Sequence, residues 1–280
     1  MLFYNISVDC WDGGSKYENE PVIYHGLKGK TLTTKILFKD VVRDAIKPYA
    51  FHTSMYPLIL SIENHCSVEY QDKMADHLVD ILGEILFTEE VNESRKALPS
   101  PEELKFKVLV KAKKHNSQNQ LGIKSIYEDF IDDIDTFILF LTTSLIRFSD
   151  LVYSFIDLND FEEEDDDIIS DEGKIQKKGI SKKLSALVNY IEPIKFLKFK
   201  DLVDFDNEKK GKFYQMSSLG ELKATAILLH PVAAKNLVKY NSEQMSRIYP
   251  GAMRQNSSNL IPTLAWNAGC QMGTYNFDIH

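Results

Sequence analysis

A chain of 280 residues, 44% of them hydrophobic, is long enough to bury one large core or two small ones and has the composition of an ordinary globular fold. Its formal net charge of −8 excludes a general nucleic-acid binder, which needs basic surface, and excludes holding an anionic membrane by bulk charge. Three widely spaced cysteines, Cys10, Cys66 and Cys270, sit in apolar surroundings and predict reduced, buried thiols of a cytosolic protein, with no spacing that builds a zinc site. The first residues lack the pattern of a signal peptide. The longest apolar run, 137–148, is broken by Thr142, Thr143, Ser144 and Arg147 and falls short of the roughly 20 residues that cross a bilayer.

The chain opens on an alternating strand pattern, Ile6 and Val8 against Ser7 and Asp9, stopped by Gly13 and Gly14. A second short apolar run, Val22 to Tyr24, ends on His25. Phe38, Val41, Val42, Ala45 and Ile46 fall at helical spacing, with Pro48 closing the run. Leu58 to Ile62 is a continuous apolar stretch of the kind buried on both faces of a parallel sheet. Ser67 caps a helix with Met74, Leu78, Ile81, Leu82 and Ile85 on one side. Ser100-Pro101-Glu102-Glu103 reads as a capping-box helix start, and 106–110 as the next strand, running into Lys111, Ala112, Lys113 and Lys114. Alternation of strands with helices predicts an α/β fold with a parallel sheet, either a barrel or a doubly wound sheet. Asp9, His25, Glu63, Lys111 and Lys113 fall at or just beyond the C-terminal ends of strands, where such folds carry their sites.

Residues 115–183 differ in kind. Polar residues lead into an apolar piece, 130–155, and then into six consecutive carboxylates over 162–167, a charge block expected to be solvated and disordered. Order resumes at Leu184. Met216-Ser217-Ser218 precedes a helix with Leu222, Ala226 and Leu229, stopped by His230-Pro231, and Met245 to Tyr249 reads as a strand.

The words Asp9-Cys10-Trp11-Asp12-Gly13, Ile23-Tyr24-His25-Gly26 and Ser61-Ile62-Glu63-Asn64-His65-Cys66 resemble the X region of eukaryotic phosphoinositide-specific phospholipase C. Met216-Ser217-Ser218, Ser246-Arg247-Ile248-Tyr249-Pro250 and Trp266-Asn267-Ala268-Gly269-Cys270-Gln271 are similar to its Y region. The resemblance implies a TIM-type (β/α)8 barrel with an X-like half over 1–114, an acidic linker over 115–183 and a Y-like half over 184–280. It also implies Ca²⁺-dependent hydrolysis of phosphatidylinositol 4,5-bisphosphate to inositol 1,4,5-trisphosphate and diacylglycerol, by a cytoplasmic protein that meets the membrane surface peripherally. Under this resemblance Asp9 and Glu63 match calcium ligands and His25 the general acid and base. Lys111, Lys113, Ser218 and Arg247 match phosphate contacts, and Tyr249 the aromatic that packs on the inositol ring. Two-residue spacing puts Lys111 and Lys113 on one strand face. The acidic linker would act as an autoinhibitory screen, or serve only as a tolerated surface loop.

The match begins late. The family's first strand, with a histidine, an asparagine calcium ligand and a threonine, has no counterpart among the five residues before Ile6, and Ser7 stands where the family has a glutamate ligand. The family's final Y segment is also missing after Phe277. A barrel incomplete at the N-terminus, with two carboxylates for a cation that takes 6–8 oxygens, is expected to bind calcium weakly and to turn over slowly. The competing reading is a catalytically inactive relative that binds inositol phosphates or protein partners.

Overall fold

The computed structural model describes residues 4–27, 30–31, 33–92, 94–115, 167–169, 175–177, 179–194, 202, 211–251 and 258–274. In chain order these form strands β1 (Tyr4–Asp12), β2 (Pro21–Ile23) and β3 (Ile36–Leu37) and a helical stretch α1 (38–49) whose middle, Val41–Ile46, widens to a π-helix. There follow β4 (Leu58–Asn64), α2 (Val68–Leu82), β5 (Val108–Lys111), α3 (Lys182–Ala186) and β6 (Glu192–Ile194). The last elements are β7 (Gln215–Gly220), α4 (Glu221–Leu229), α5 (Pro231–Asn241), β8 (Met245–Tyr249), α6 (Thr263–Asn267) and β9 (Met272–Gly273).

Two sheets result. The first runs β3-β2-β1-β4-β5, with β1, β4 and β5 parallel; the second runs β6-β7-β8-β9, parallel throughout. Strand alternation sorts their side chains onto two faces. Val8, Cys10, Leu58, Leu60, Ile62, Val108 and Val110 pack outward against Phe38, Val42 and Ile46 of α1 and Met74, Leu78 and Leu82 of α2. Ile59, Leu109, Met216, Met245 and Met272, one from each of five strands of both sheets, meet in a second cluster. That shared inner layer makes the two sheets opposite walls of one TIM-type barrel, although the described strands do not close into one continuous ladder. The expected α/β barrel is therefore the fold.

Local chemistry explains most boundaries. Gly83 ends α2 at φ 55°, returning its N–H to the Val79 carbonyl as left-handed C-terminal glycines do. The His230 Nδ1 accepts from the Ala233 N–H at 3.2 Å and caps α5, with Pro231 in its first turn. Ser67 takes the N-cap position of α2, but its own N–H is spent on Asp12 Oδ1 at 2.9 Å, tying the end of β1 to the helix. The Ser100 capping box does form, Ser100 N–H to Glu103 Oε2 at 2.7 Å and Glu103 N–H to Ser100 Oγ at 3.3 Å, yet only turns follow. Phe106, at φ 57°, breaks the turn and gives its N–H to the Met55 carbonyl, so the helix expected there is absent and the strand starts at Val108.

The two halves of the sequence are stitched together on the outside. Gln71, 1% exposed, donates from Nε2 to the Cys66 and Gly179 carbonyls and accepts the Ser181 N–H at 2.8 Å. Ser181 Oγ bonds Asp72, and Lys183 pairs with Asp76 at 2.9 Å. Of the segment expected to be a linker, an antiparallel hairpin (Asp167–Ile169 with Ile175–Lys177) and the docked residues 179–183 are described. The apolar piece 130–155 and all but the last residue of the acidic run lie outside the described residues. The cysteines are free and buried, and burial pushes the Cys10 thiol well above its usual range, so it behaves as core.

The loop from β1 to β2 is held by charge. Gly13 approaches the Glu20 carbonyl so closely that a Cβ there would lie 2.3 Å from it. Glu20 accepts from His77 Nε2 at 2.6 Å and from Lys39 Nζ at 3.2 Å. Burial works against ionisation of Glu20, but these two partners outweigh it and lower its pKa below 4.5. A carboxylate with a depressed native pKa stabilises the fold above its unfolded value, and the contribution is lost as pH falls through the native one. Glu20→Gln is therefore expected to lower the melting temperature at pH 7, costing about 1–2 kcal/mol. The gap to wild type should shrink as melts are taken below pH 4.5; a gap constant with pH would contradict this assignment.

Candidate active site

The inner face of the barrel changes character along its strands. Above the apolar layer of Ile59, Leu109, Met216 and Met245, alternation brings up polar side chains two residues further on. In register, Ser7 faces Ser61 and Ser61 faces Lys111, while Ser218 faces Arg247. One step higher Asp9 lies beside Glu63, and Gly220 beside Tyr249. Lys113 lies two residues past Lys111, beyond the end of β5. Of the eight residues singled out from sequence, six are thus on inner positions at the C-terminal ends of parallel strands.

His25 arrives differently. The sequence pattern reads as successive strands, but β2 is antiparallel to β1, pairing Cys10 with Ile23 and Asp12 with Pro21. The connection of 13–20 is too short for the crossover a parallel strand needs, so the chain turns back and lays His25 over Asp9. His25 Nδ1 stands 2.9 Å from Asp9 Oδ2, and its backbone N–H is fixed on Thr33 Oγ1 at 2.9 Å. The imidazole is 69% exposed while the carboxylate is 22% exposed. With its proton on Nδ1 bonded to Asp9, the ring offers Nε2 to a reactant from the open side.

Two neighbouring anions define this end of the site. Burial and the charge of Glu63 raise the Asp9 pKa, and the His25 hydrogen bond offsets them only in part. Glu63 is in turn faced by His65 Nε2 at 3.4 Å. His65 is half of a stack, its ring 3.9 Å from Trp11, which also stacks on Tyr24 at 5.0 Å and donates from Nε1 to the Tyr24 carbonyl at 3.2 Å. Trp11 therefore supports both His25, through the preceding residue, and Glu63, through His65. Sequence analysis assigns neither His65 nor Trp11 a role; the available signal is their position inside the same words as Asp9 and Glu63.

Across the barrel the chemistry is cationic. Arg247, only 7% exposed, donates from Nε to Ser218 Oγ at 3.2 Å and lies 5.7 Å over the Tyr249 ring. The ring itself leans across β7, with Cζ and Oη 3.5 Å from where a Gly220 Cβ would stand. On the carboxylate side, Lys111 of β5, beside Ser61, is likewise 7% exposed. A buried cation on each wall, with paired carboxylates on the first, suits a ligand that is both phosphorylated and hydroxylated. For a hard cation the oxygens of Asp9 and Glu63 are right in kind. They are not enough in number: two carboxylates do not fill a shell of 6–8 oxygens, and no cluster of three or more His, Cys, Asp or Glu suited to a metal occurs among the described residues.

Comparisons with known proteins agree with this geometry. Residues 5–114 match the family described as phosphatidylinositol-specific phospholipase C, X domain, and residues 184–280 match the corresponding Y domain. The chain is 38% identical over 273 residues to 1-phosphatidylinositol 4,5-bisphosphate phosphodiesterase delta-4 of Xenopus laevis, covering 97% of this chain and 32% of that one. It is 35% identical over 272 residues to the human zeta-1 enzyme of the same name, covering 97% of this chain and 39% of that one. The solved S. officinalis PLC21 superposes with a TM-score of 0.67 at 33% identity, over 98% of this chain and 29% of the other. The chain thus spans about a third of the length of the relatives it matches. No helix among the described residues is long and apolar enough to cross a membrane.

The Asp9 shift has a measurable consequence. A carboxyl with a raised native pKa costs stability once ionised, so the penalty is full above that value and gone below the unfolded 3.8. Asp9→Asn is expected to raise the melting temperature at pH 7 in metal-free buffer, with the gain vanishing in melts below pH 3.8. A lower melting temperature at pH 7 would contradict the reading of Asp9 as a strained anion. Matched through both of its domains, with the fold to go with them, the chain belongs to the phosphatidylinositol-specific phospholipase C family.

Proposed function

We propose that the chain is the catalytic region of a phosphoinositide phospholipase C, which cleaves phosphatidylinositol 4,5-bisphosphate to inositol 1,4,5-trisphosphate and diacylglycerol at the cytoplasmic surface of a membrane. The observation that carries this reading is the contact of His25 Nδ1 with Asp9, on a wall that also carries Lys111 and faces Arg247 and Ser218. The Asp9–Glu63 carboxylates take the proton of the ring 2-hydroxyl as its oxygen bonds to phosphorus. The bond from phosphorus to the glycerol oxygen then breaks, and His25, entering the cycle as the imidazolium with its Nδ1–H on Asp9, gives that oxygen its Nε2 proton. In the second half His25 draws a proton from water as the water attacks the cyclic phosphate, and the 2-oxygen leaves with the proton held by the carboxylates. Arg247, Ser218, Lys111 and Lys113 hold the phosphates, and Tyr249 packs on the ring.

Calcium belongs to this reading through the family resemblance, with Asp9 and Glu63 as its ligands. Because the described residues give it only these two carboxylates, we infer weak affinity and slow turnover for this chain, and no step above is routed through the ion. Ser7 sits on the same strand face as Asp9, beside Ser61, and is exposed. Ser7→Glu is expected to lower the calcium concentration for half-maximal hydrolysis of mixed micelles by about tenfold or more, and His25→Ala to cut turnover by about a hundredfold or more. Turnover indifferent to His25→Ala would overturn the assignment. If wild type binds inositol 1,4,5-trisphosphate yet Ser7→Glu restores no turnover, the inactive inositol-phosphate binder is the better account.

A further inference from the structure

The second sheet continues past its last named strand. β9 pairs with β8 as Arg247 beside Met272 and Ile248 beside Gly273, and the Thr274 N–H donates to the Ile248 carbonyl at 2.9 Å. One more step of the ladder sets Thr274 level with Tyr249. Met272 is part of the inner layer, so alternation puts the Thr274 side chain on that inner face, two residues above it. There its hydroxyl oxygen is buried and has no hydrogen-bond partner among the described residues. A buried hydroxyl without a partner costs free energy, and such a group at the mouth of a polar site marks a place where a ligand completes the bonding.

Two neighbours on β8 have contacts on the β7 side. Arg247 Nε donates to Ser218 Oγ, and the Tyr249 ring lies against Gly220, so neither of these contacts is made to Thr274 on the β9 side. We propose that Thr274 is a further substrate-binding residue, whose hydroxyl donates to a phosphate oxygen of a phosphorylated inositol headgroup held by Arg247 and Ser218. This rests on the proposed function above and adds a contact to its site. A hydroxyl suits the place because it presents one rotatable donor to an anionic oxygen and brings no extra charge.

Isothermal titration of the whole chain with inositol 1,4,5-trisphosphate tests it, using wild type, Thr274→Val and Thr274→Ser, each checked by thermal melting. Valine keeps the shape and removes the donor. Thr274→Val should bind about tenfold or more weakly yet melt no lower than wild type, while Thr274→Ser stays within about threefold of wild type in binding. Should the valine variant fail to fold, Thr274→Ala takes its place with the same expectation. A donor-free variant that folds and binds as wild type does overturns the assignment of Thr274 alone. Wild type that fails to bind the trisphosphate at all overturns the proposed function first, and Thr274 with it.

Discussion

The parallel pairing of β1 with β4 is the constraint on which the rest depends. Its register puts Asp9 beside Glu63 and Ser7 beside Ser61, and a slip of β1 by one residue would turn Ser7 and Asp9 to the helix-covered face. The register is held by burial: Val8 and Cys10 of β1 and Leu58, Leu60 and Ile62 of β4 pack together under α1 and α2. Hydrophobic burial, worth about 25 cal/mol per Å² of apolar surface, is thereby used to hold two like charges side by side. The raised Asp9 pKa is the cost of that placement.

The same alternation builds the opposite wall. Met216 and Met245 anchor β7 and β8 in the inner layer, and two residues on each strand supplies Ser218 and Arg247. Because Arg247 is nine-tenths buried as a residue, its bond to Ser218 and its place over Tyr249 fix the guanidinium before any ligand arrives. A preorganised cation needs little rearrangement when an anion binds. His25 is the exception, exposed and carried on an antiparallel return instead of a barrel strand. It is held from below by Asp9 and from behind through the Trp11–Tyr24 contact, which leaves its outer nitrogen accessible while limiting its motion.

Much of this was legible in the sequence where burial and periodicity speak together. The run Leu58 to Ile62 reads as a doubly buried strand and is one. Met74, Leu78 and Leu82 read as a helix face and pack as one. The words around Asp9, His25 and Glu63 identified the family. Period two puts Lys111 and Lys113 on one strand face, but β5 ends at Lys111 and Lys113 lies past it. Long-range contacts and backbone reversals carried no such signal. Nothing in Ser100-Pro101-Glu102-Glu103 shows that Phe106 will take a positive φ and stop the helix. Nor do local patterns show that β2 runs antiparallel, that Trp11 bridges His65 and Tyr24, or that Gln71 fastens residues 179–181 to α2. Thr274 was missed because its strand is named over only two residues and its place follows from one hydrogen bond to β8.

The central claim is that the carboxylate–histidine wall and the arginine–serine wall serve one headgroup. A crystal structure of the chain with inositol 1,4,5-trisphosphate measures that directly. The account predicts the ring between the two walls, its phosphates on Arg247 and Ser218 and its 2-hydroxyl toward Asp9 and Glu63, with His25 Nε2 on the open side. A trisphosphate bound outside the barrel mouth, or touching one wall with the other more than a hydrogen bond away, would contradict it.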